Sequence, residues 1–429
     1  MENQPKALQG FQTADKASDR SSRKTKSLAQ CQVKSCYGVQ METIICDISA
    51  FEYWRIPPVV HVLLNAGANP SDSAALASTA MAEAGADALH ALSEERSPWA
   101  AGALPSGAGK AARRLREVAP LLVASNQQCV DILVRDRSGC HASGIVHPRV
   151  WSRNLPFGAT VQIAESVHVA TPAFALLQIA ARASLTATIM LAAELCGGFA
   201  VYEPPPALLK ALQTMERNKQ LPTIGSWRPF VDQHQVLTSL WSRPPLLSPD
   251  DLETMAATCE SQRGRKRLRR AAQLVLPNAA SPFEVQASML LGLPRSLGGE
   301  GHGGLTLNKK IALSTDAQTL AQREHCYCDL YWEEGLDLEC QSAMAHDREA
   351  SFLSDSDRTA ALRCMGIDVL PVTFSQVNHQ ERFDALSRTI ASMRGRKLTP
   401  KTAAQHKRAI ELRSEVLKPW SQLCRALWR

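Results

Sequence analysis

The first half of the chain contains short apolar runs separated by polar or Gly- and Pro-rich stretches. Runs of this length, bounded by turn residues, are typical of strands, and they lie at residues 43–48, 130–134 and 160–163. Thr171 and Pro172 form a typical helix start, with proline in the first turn. The pattern predicts a mixed, helix-rich region with several short strands.

The second half shows a regular order of elements: a helix, three strands, a helix and a final strand. The first helix begins with Ser281 and Pro282, and the second is predicted to span Asp347 to Met365. The strand candidates lie at residues 305–311, 328–332, 336–340 and 367–372. We therefore predict an α/β chain of the α+β type, with a mixed sheet in an αβββαβ core.

Two of these strands are joined by a three-residue loop that ends in Gly335, which is typical of a β-hairpin. Pairing Trp332 with Leu336 across the loop places Asp329 opposite Glu339. Opposed carboxylates destabilise a sheet unless a cation compensates them, and Mg²⁺ suits such oxygen ligands. The alternative is that both acids face solvent, since a register slip of one residue would separate them.

Composition and charge define what surrounds this core. The 429 residues are 45% hydrophobic and 21% charged, as in a globular chain of two or three domains, and carry a net charge of +7. Residues 1–40 are polar and basic, so we expect a disordered arm, with Met41 as an alternative start of the protein. Residues 66–112 are rich in Ala, Gly and Ser and predict a loose insertion.

The cellular compartment is inferred from cysteine and hydropathy. The 12 cysteines are scattered, which predicts reduced thiols in the cytoplasm rather than a disulfide framework. The longest apolar run, at residues 183–201, contains hydroxyl groups and Glu194, so a buried helix is expected there and no membrane span.

A basic run lies just before the C-terminal core and has six positive charges in eight residues. It predicts either a nucleic-acid-binding patch or a solvated helix face. The candidate DNA-binding residues are Arg263, Arg265, Lys266, Arg267, Arg269 and Arg270. Both ends of the chain are also basic, which leaves an acidic body between basic segments, an arrangement that suits contact with a nucleic-acid backbone.

The C-terminal core resembles a known family. Its ordered motifs are similar to the endonuclease-like domain related to very short patch repair enzymes, in the PD-(D/E)XK nuclease superfamily. The resemblance covers roughly residues 268–380. It is carried by Ser281 to Glu284, Cys328 to Trp332, Leu338 to Gln341, His346, Asp355 to Arg358, Leu362, Gly366, Val369 and Leu370.

This resemblance implies roles for five candidate catalytic residues. Asp329 and Glu339 match the acids that bind Mg²⁺, or Mn²⁺, to activate water beside the scissile phosphate. Glu284 matches the helix acid that often completes the site, although Ser281 to Glu284 also fits a helix capping box in which Glu284 reaches back. His346 is expected either to assist at the phosphate or to be an ordinary surface histidine. Gln341 stands where the superfamily has Lys and this branch commonly has Asp, and a neutral amide cannot act as a base.

The region upstream resembles antitoxin-type transcriptional regulators of abortive-infection systems. The likeness is carried by Cys140 and His141, Leu155 and Pro156, Val169 to Pro172, Leu177 to Ala180 and Glu194 to Gly197. The two resemblances imply a DNA partner, a Mg²⁺-dependent endonuclease activity in defence, repair or a mobile element, and a toxin or other protein partner. The alternative is a catalytically lapsed nuclease fold that acts as a DNA-binding or antitoxin-like regulator.

The predicted organisation follows from these patterns. In chain order it comprises a basic arm at residues 1–40, a small N-terminal region at 41–120, a regulator-like domain at 121–220, a connector at 221–262, an endonuclease-like domain at 263–380 and a basic helical tail at 381–429.

Overall fold

The computed structural model describes residues 43–68, 115, 122, 129–136, 146–341 and 349–427, without the side chains of 65–68 and 349–355. The predicted arm at 1–40 and most of the Ala-, Gly- and Ser-rich stretch therefore lie outside the described residues, as does His346. The described residues belong to one compact unit that begins at Thr43. Their helices and mixed sheets confirm the predicted α+β class.

The N-terminal sheet has five described strands in the order β3-β2-β1-β5-β4. They are β1 (Thr43–Ile45), β2 (Val130–Val134), β3 (Val146–Val150), β4 (Thr160–Ala164) and β5 (Val167–Ala170). Strand β1 runs parallel to β5 and antiparallel to β2, so the sheet is mixed. The helices α1 (Asp47–Arg55) and α2 (Pro58–Ala68) follow β1 and are separated where two prolines prevent a continuous helix.

The start of α1 is fixed by charged groups from outside the helix. Asp47 has a φ of 55°, a left-handed conformation that is uncommon for a residue other than glycine. Its carboxylate accepts two hydrogen bonds of 2.5 Å from Arg182, and its backbone N–H donates to Gln178. Nearby, Arg149 donates to the buried Asp131 at 2.7 Å. These contacts join the N-terminal sheet to the helix that follows it.

A helical layer and a small sheet form the middle of the chain. The helices are α3 (Pro172–Ala180), α4 (Leu185–Cys196), α5 (Pro206–Arg217), α6 (Pro249–Thr258) and α7 (Arg265–Ala272). The antiparallel strands are β6 (Phe199–Val201), β7 (Arg228–Val231) and β8 (Leu237–Ser242), in the order β6-β8-β7. Thus two strands lie within the segment predicted as a connector.

The C-terminal part contains the predicted order of helix, three strands, helix and strand. Its elements are α8 (Pro282–Gly292), β9 (Leu305–Ala312), α9 (Thr315–Ala321), β10 (His325–Trp332), β11 (Leu336–Gln341), α10 (Glu349–Cys364) and β12 (Asp368–Thr373). The sheet order is β12-β11-β10-β9, with β12 parallel to β11 and the other pairs antiparallel. The short helix α9 was not predicted; Ser314 caps it by accepting the Ala317 N–H.

Four more helices complete the described chain: α11 (Phe374–Asn378), α12 (Gln380–Met393), α13 (Ala403–Val416) and α14 (Gln422–Leu427). The C-terminal segment is basic, as the sequence indicates, and it also contributes Trp420, Leu423 and Cys424 to the main hydrophobic core. That core extends from Ile45 of β1 to Cys424 of α14. None of the helices in the described part of the chain is both long and apolar enough to cross a membrane.

Candidate functional site

The hairpin of β10 and β11 has the register that the sequence predicts. Trp332 pairs with Leu336, and the pairing continues to Leu330 and Leu338. The ladder ends at that pair, and Asp329 and Glu339 are the residues directly beyond it. The fold therefore brings the two predicted metal-binding acids to neighbouring positions on adjacent strands.

The alternation of faces along β10 changes at Asp329. Leu330 packs in the main core, whereas Cys328, two residues earlier, packs in a second, smaller core. Residues two apart on a regular strand share a face, so the strand turns over between them. Asn308, the facing position on β9, has a φ of 47° at the same level. Asp329 consequently reaches towards β11, where it accepts the Cys340 N–H at 2.9 Å.

Glu284 connects the start of α8 to strand β9. One carboxylate oxygen accepts the Ser281 hydroxyl at 2.8 Å, as in the predicted helix cap, although the second reaches back to the Ala280 N–H at 2.8 Å. That second oxygen also accepts the side-chain amide of Asn308 at 2.6 Å. Glu284 is buried, and its hydrogen bonds fix both the helix start and the side chain of a residue facing Asp329.

Four carboxylates influence one another at this place, and burial is the main cause of each shift that is resolved. Burial, together with the charges of Glu339 and Glu284, raises the pKa of Asp329 to about 8. Burial and the Glu339 charge raise the pKa of Asp337 to about 7. Burial likewise raises the pKa of Glu284, with Glu339 adding to the effect. We call Glu284, Asp329, Asp337 and Glu339 the carboxylate cluster.

Arg358 of helix α10 supplies positive charge to the carboxylate cluster. Its Nη1 lies 2.5 Å from Glu339 Oε1, and its Nη2 lies 3.6 Å from Asp337 Oδ2. The guanidinium also donates to the backbone carbonyl of Tyr327 on β10. The Arg358 side chain is 14% exposed and that of Asp337 is fully buried, so solvent screens this pair weakly.

One guanidinium leaves part of the carboxylate cluster without partners. Among the described residues, both oxygens of Asp337 and Oε2 of Glu339 are buried and accept no hydrogen bond of normal geometry, although the Cys328 thiol and the Leu330 N–H lie near Asp337. Hard oxygen ligands of this kind fit Mg²⁺ or Mn²⁺ in their chemistry. Nevertheless, the described residues contain no group of three or more His, Cys, Asp or Glu side chains arranged to hold a metal ion. Instead, Arg358 contacts two of the four acids, Asp337 and Glu339.

Gln341, another of the predicted site residues, ends strand β11. It pairs with Thr373 of β12, in the same continuous ladder as Glu339, so the two side chains share a face of the sheet. The residue is partly exposed. Its position agrees with the sequence prediction, and its chemistry provides no base.

Three residues that contribute to the site were not among the predicted site residues: Asn308, Asp337 and Arg358. The alternation along β11 already indicated that Asp337 points the same way as Glu339. The Arg358 contact depends on how α10 packs against the sheet, which no local pattern specifies. Asn308 is revealed only by its left-handed backbone and its bond to Glu284.

The predicted nucleic-acid-binding residues divide into two groups on α7 and the turn before it. Arg265 donates to the carbonyls of Ala256 and Glu260, and Arg267 donates to the carbonyl of Ala180. These two arginines satisfy the ends of neighbouring helices. The remaining members of the run, which are partly or fully exposed and which we call the basic surface, are Arg263, Lys266, Arg269 and Arg270.

The basic surface is held in place by close helix packing. Gly264 precedes α7 with a φ of 88°, and a Cβ there would lie 2.6 Å from the Ala181 nitrogen and the Leu177 oxygen. Only glycine fits both the backbone conformation and this approach to the end of α3. Part of the run therefore packs against other helices, which neither alternative from the sequence included, and part faces solvent.

Comparison with known proteins adds no relative to these observations. No protein-family model, curated protein or solved structure matches the chain. The function must therefore be inferred from the carboxylate cluster, from the basic surface and from the fold that carries them.

Proposed function

We propose that the chain is a cytoplasmic DNA-binding protein with a Mg²⁺-dependent endonuclease site in its C-terminal part, which hydrolyses phosphodiester bonds in defence, repair or a mobile element. The observation that carries this proposal is the carboxylate cluster within an αβββαβ arrangement. Buried acids with raised pKa values in one place are typical of functional sites.

The residues of this site would act in different ways. Asp329 and Glu339 would hold the cation, which supplies Lewis-acid activation of water and charge stabilisation at the phosphate. Glu284 positions Asn308 and the start of α8 beside them. Gln341 can donate or accept a hydrogen bond to orient a water molecule, but it cannot remove a proton. We therefore expect weak cleavage.

Supercoiled plasmid DNA tests the proposal directly. The wild-type chain, incubated with Mg²⁺ or Mn²⁺, is expected to nick the plasmid, and Asp329→Asn and Glu339→Gln are expected to abolish nicking. A Lys309→Ala variant is a matched control, because Lys309 pairs with the exposed Glu333 on the same sheet, outside the carboxylate cluster. Equal nicking by wild type and Asp329→Asn would refute the endonuclease assignment.

A second candidate is a DNA-binding or antitoxin-like regulator that has lost cleavage. Two observations favour it: Glu339 is already paired with Arg358, and Gln341 replaces a charged residue. This candidate predicts DNA binding that depends on salt and survives Asp329→Asn and Glu339→Gln, with no nicking by any variant.

Fluorescence anisotropy with a labelled DNA duplex measures DNA binding. Together with the nicking assay it separates three outcomes: nicking, binding without nicking, and no binding. Binding without nicking supports the regulator, and a toxin or other protein partner then becomes the next target. An absence of DNA binding even at low salt would exclude both candidates.

A further inference from the structure

The carboxylate cluster is not neutralised by the residues around it. It contains four acids, whereas among the described side chains Arg358 is the cation that pairs with Glu339 and approaches Asp337. A guanidinium keeps its charge at any pH at which the protein is folded, so Arg358 cannot adjust by losing a proton. The negative charge that remains must be balanced by protons or by another cation.

Buried oxygens without a close donor show where a second cation would bind. Asp337 is fully buried, and the donors near it, the Cys328 thiol and the Leu330 N–H, form no hydrogen bond of normal geometry to its oxygens. It lies two residues from Glu339 on β11 and shares its face, and Oε2 of Glu339 is also without a donor. A buried acceptor without a donor is costly, so both side chains are suited to a cation that is not part of the chain.

The guanidinium of Arg358 already contacts both of these acids. Nη1 engages Oε1 of Glu339, and Nη2 lies 3.6 Å from Asp337 Oδ2, so the planar group spans the two acids. Two positive groups cannot share these carboxylates at short range without strong repulsion. Binding of a divalent ion would therefore require Arg358 to move.

We propose that Arg358 is a positioning residue that acts as an internal counterion, pairing with Glu339 and Asp337 when the divalent cation is absent and competing with Mg²⁺ or Mn²⁺ for Glu339. This inference rests on the proposed metal-dependent function and extends it, because it identifies what limits cation binding. It also explains why acids whose oxygens suit a divalent cation are paired with an arginine.

A purely structural role for Arg358 makes a different prediction. The guanidinium also donates to the Tyr327 carbonyl, and so it fastens α10 to the sheet. If this were its whole role, its removal would loosen the carboxylate cluster, and cation binding would weaken or stay the same. An internal counterion predicts the opposite sign, namely tighter binding after its removal.

Isothermal titration calorimetry of the full chain with Mn²⁺, in the absence of DNA, shows whether removal of the Arg358 charge tightens or weakens Mn²⁺ binding. The variants are Arg358→Met, which removes the charge, Arg358→Gln, which keeps hydrogen-bonding capacity without charge, and Arg358→Lys, which keeps the charge. Arg363→Met, at an exposed position of the same helix, is the matched control. Circular dichroism establishes which variants fold, and Arg358→Gln serves if Arg358→Met does not.

We expect Arg358→Met and Arg358→Gln to bind Mn²⁺ at least about 10-fold more tightly than wild type, since a full opposing charge is removed at short range. Arg358→Lys and Arg363→Met should stay close to wild type, and Glu339→Gln should abolish binding in every background. Measurable binding by wild type with no gain in either neutral variant would overturn the role of Arg358 and leave the metal site intact. No Mn²⁺ binding by any variant would overturn both.

Discussion

Arg55 and Glu194 form a buried ion pair that joins helix α1 to helix α4. Two hydrogen bonds connect them, from Nε to Oε1 at 2.8 Å and from Nη2 to Oε2 at 2.5 Å. Glu194 also accepts the indole N–H of Trp420 at 2.6 Å and the backbone N–H of Val201 at 3.1 Å. One carboxylate thus links segments from the beginning, middle and end of the described chain.

Removal of one partner should leave an uncompensated buried charge. We expect Arg55→Met to lower the free energy of unfolding by about 3–5 kcal/mol, measured by urea denaturation. Arg425→Met is the control: it breaks an ion pair with Glu203 of 2.9 Å whose side chains are 57% and 45% exposed. Such a surface pair should contribute less than about 1 kcal/mol. Equal losses in the two variants would contradict a special role for the buried pair.

The glycine-rich turn before β9 should tolerate substitution at one position and not at another. Gly298 has a φ of 95°, and a Cβ there would overlap the Arg408 carbonyl on α13. Gly298→Ala should therefore lower the free energy of unfolding by at least about 2 kcal/mol. A Cβ at Gly303 would have no other atom within 4 Å, and the backbone there is not left-handed, so Gly303→Ala should be nearly neutral. Thermal denaturation of the two variants measures the contrast.

His302 should make stability depend on pH. Burial, aided by the positive charge of Arg394, lowers the pKa of His302 to about 4, and its Nε2 lies 2.9 Å from the Ser387 hydroxyl. The unfolded chain takes up the proton first as pH falls below about 6.5. The contribution of the neutral, buried imidazole to the unfolding free energy is therefore complete above pH 6.5 and is lost as the pH falls towards 4.

A comparison of wild type with His302→Gln isolates this effect, because all other titrating groups are common to both. Between pH 7 and 4.5, wild type should lose about 2 kcal/mol more of its unfolding free energy than the variant. Urea denaturation at the two pH values measures the difference. Parallel losses would show that the imidazole is not held neutral.

Gln341 offers a gain-of-function test of the endonuclease proposal. Gln341→Lys introduces the lysine that the proposed likeness to PD-(D/E)XK nucleases implies at this place, on the same face as Glu339. If the carboxylate cluster binds a cation productively, this change should increase Mg²⁺-dependent nicking, on the order of 100-fold for a well-placed proton-transfer group. The same substitution in an Asp329→Asn background is the control and should remain inactive.

The two groups of basic residues on α7 should respond differently to substitution. Replacing Lys266, Arg269 and Arg270 by Ala should weaken DNA binding and reduce the slope of log affinity against log salt by about 0.9 for each phosphate that is no longer neutralised. It should leave the thermal midpoint almost unchanged. Arg265→Ala and Arg267→Ala should instead lower the thermal midpoint, because each arginine satisfies helix-terminal carbonyls.

Much of the C-terminal fold could be predicted from the sequence, since its signals are local. Ser281 with Pro282 determines a helix start, and the loop ending in Gly335, whose φ is 87°, determines a hairpin and its register. The register then brings Asp329 next to Glu339. These predictions succeed because turn chemistry and the two-residue period of a strand act over a few residues.

Other features depend on contacts between distant segments. Strands β7 and β8 were not predicted because Trp and Pro residues obscure the alternation, and they are stabilised by pairing with each other and with β6. The division of the basic run into packed and exposed arginines depends on where α3 and α6 end. The burial of Trp420 against Glu194 joins residues 226 positions apart.

The sequence by itself determined the α+β class, the order of the C-terminal elements and the neighbouring positions of two acids, because backbone periodicity and turn residues specify them locally. Only the tertiary structure decided the environment of those acids. Packing of α10 brings Arg358 to Glu339, and burial leaves Asp337 without a hydrogen bond of normal geometry from the described residues. The energy of a charged group depends on the groups that surround it in space. Those surroundings are set by how the helices pack, and the sequence pattern does not specify that packing.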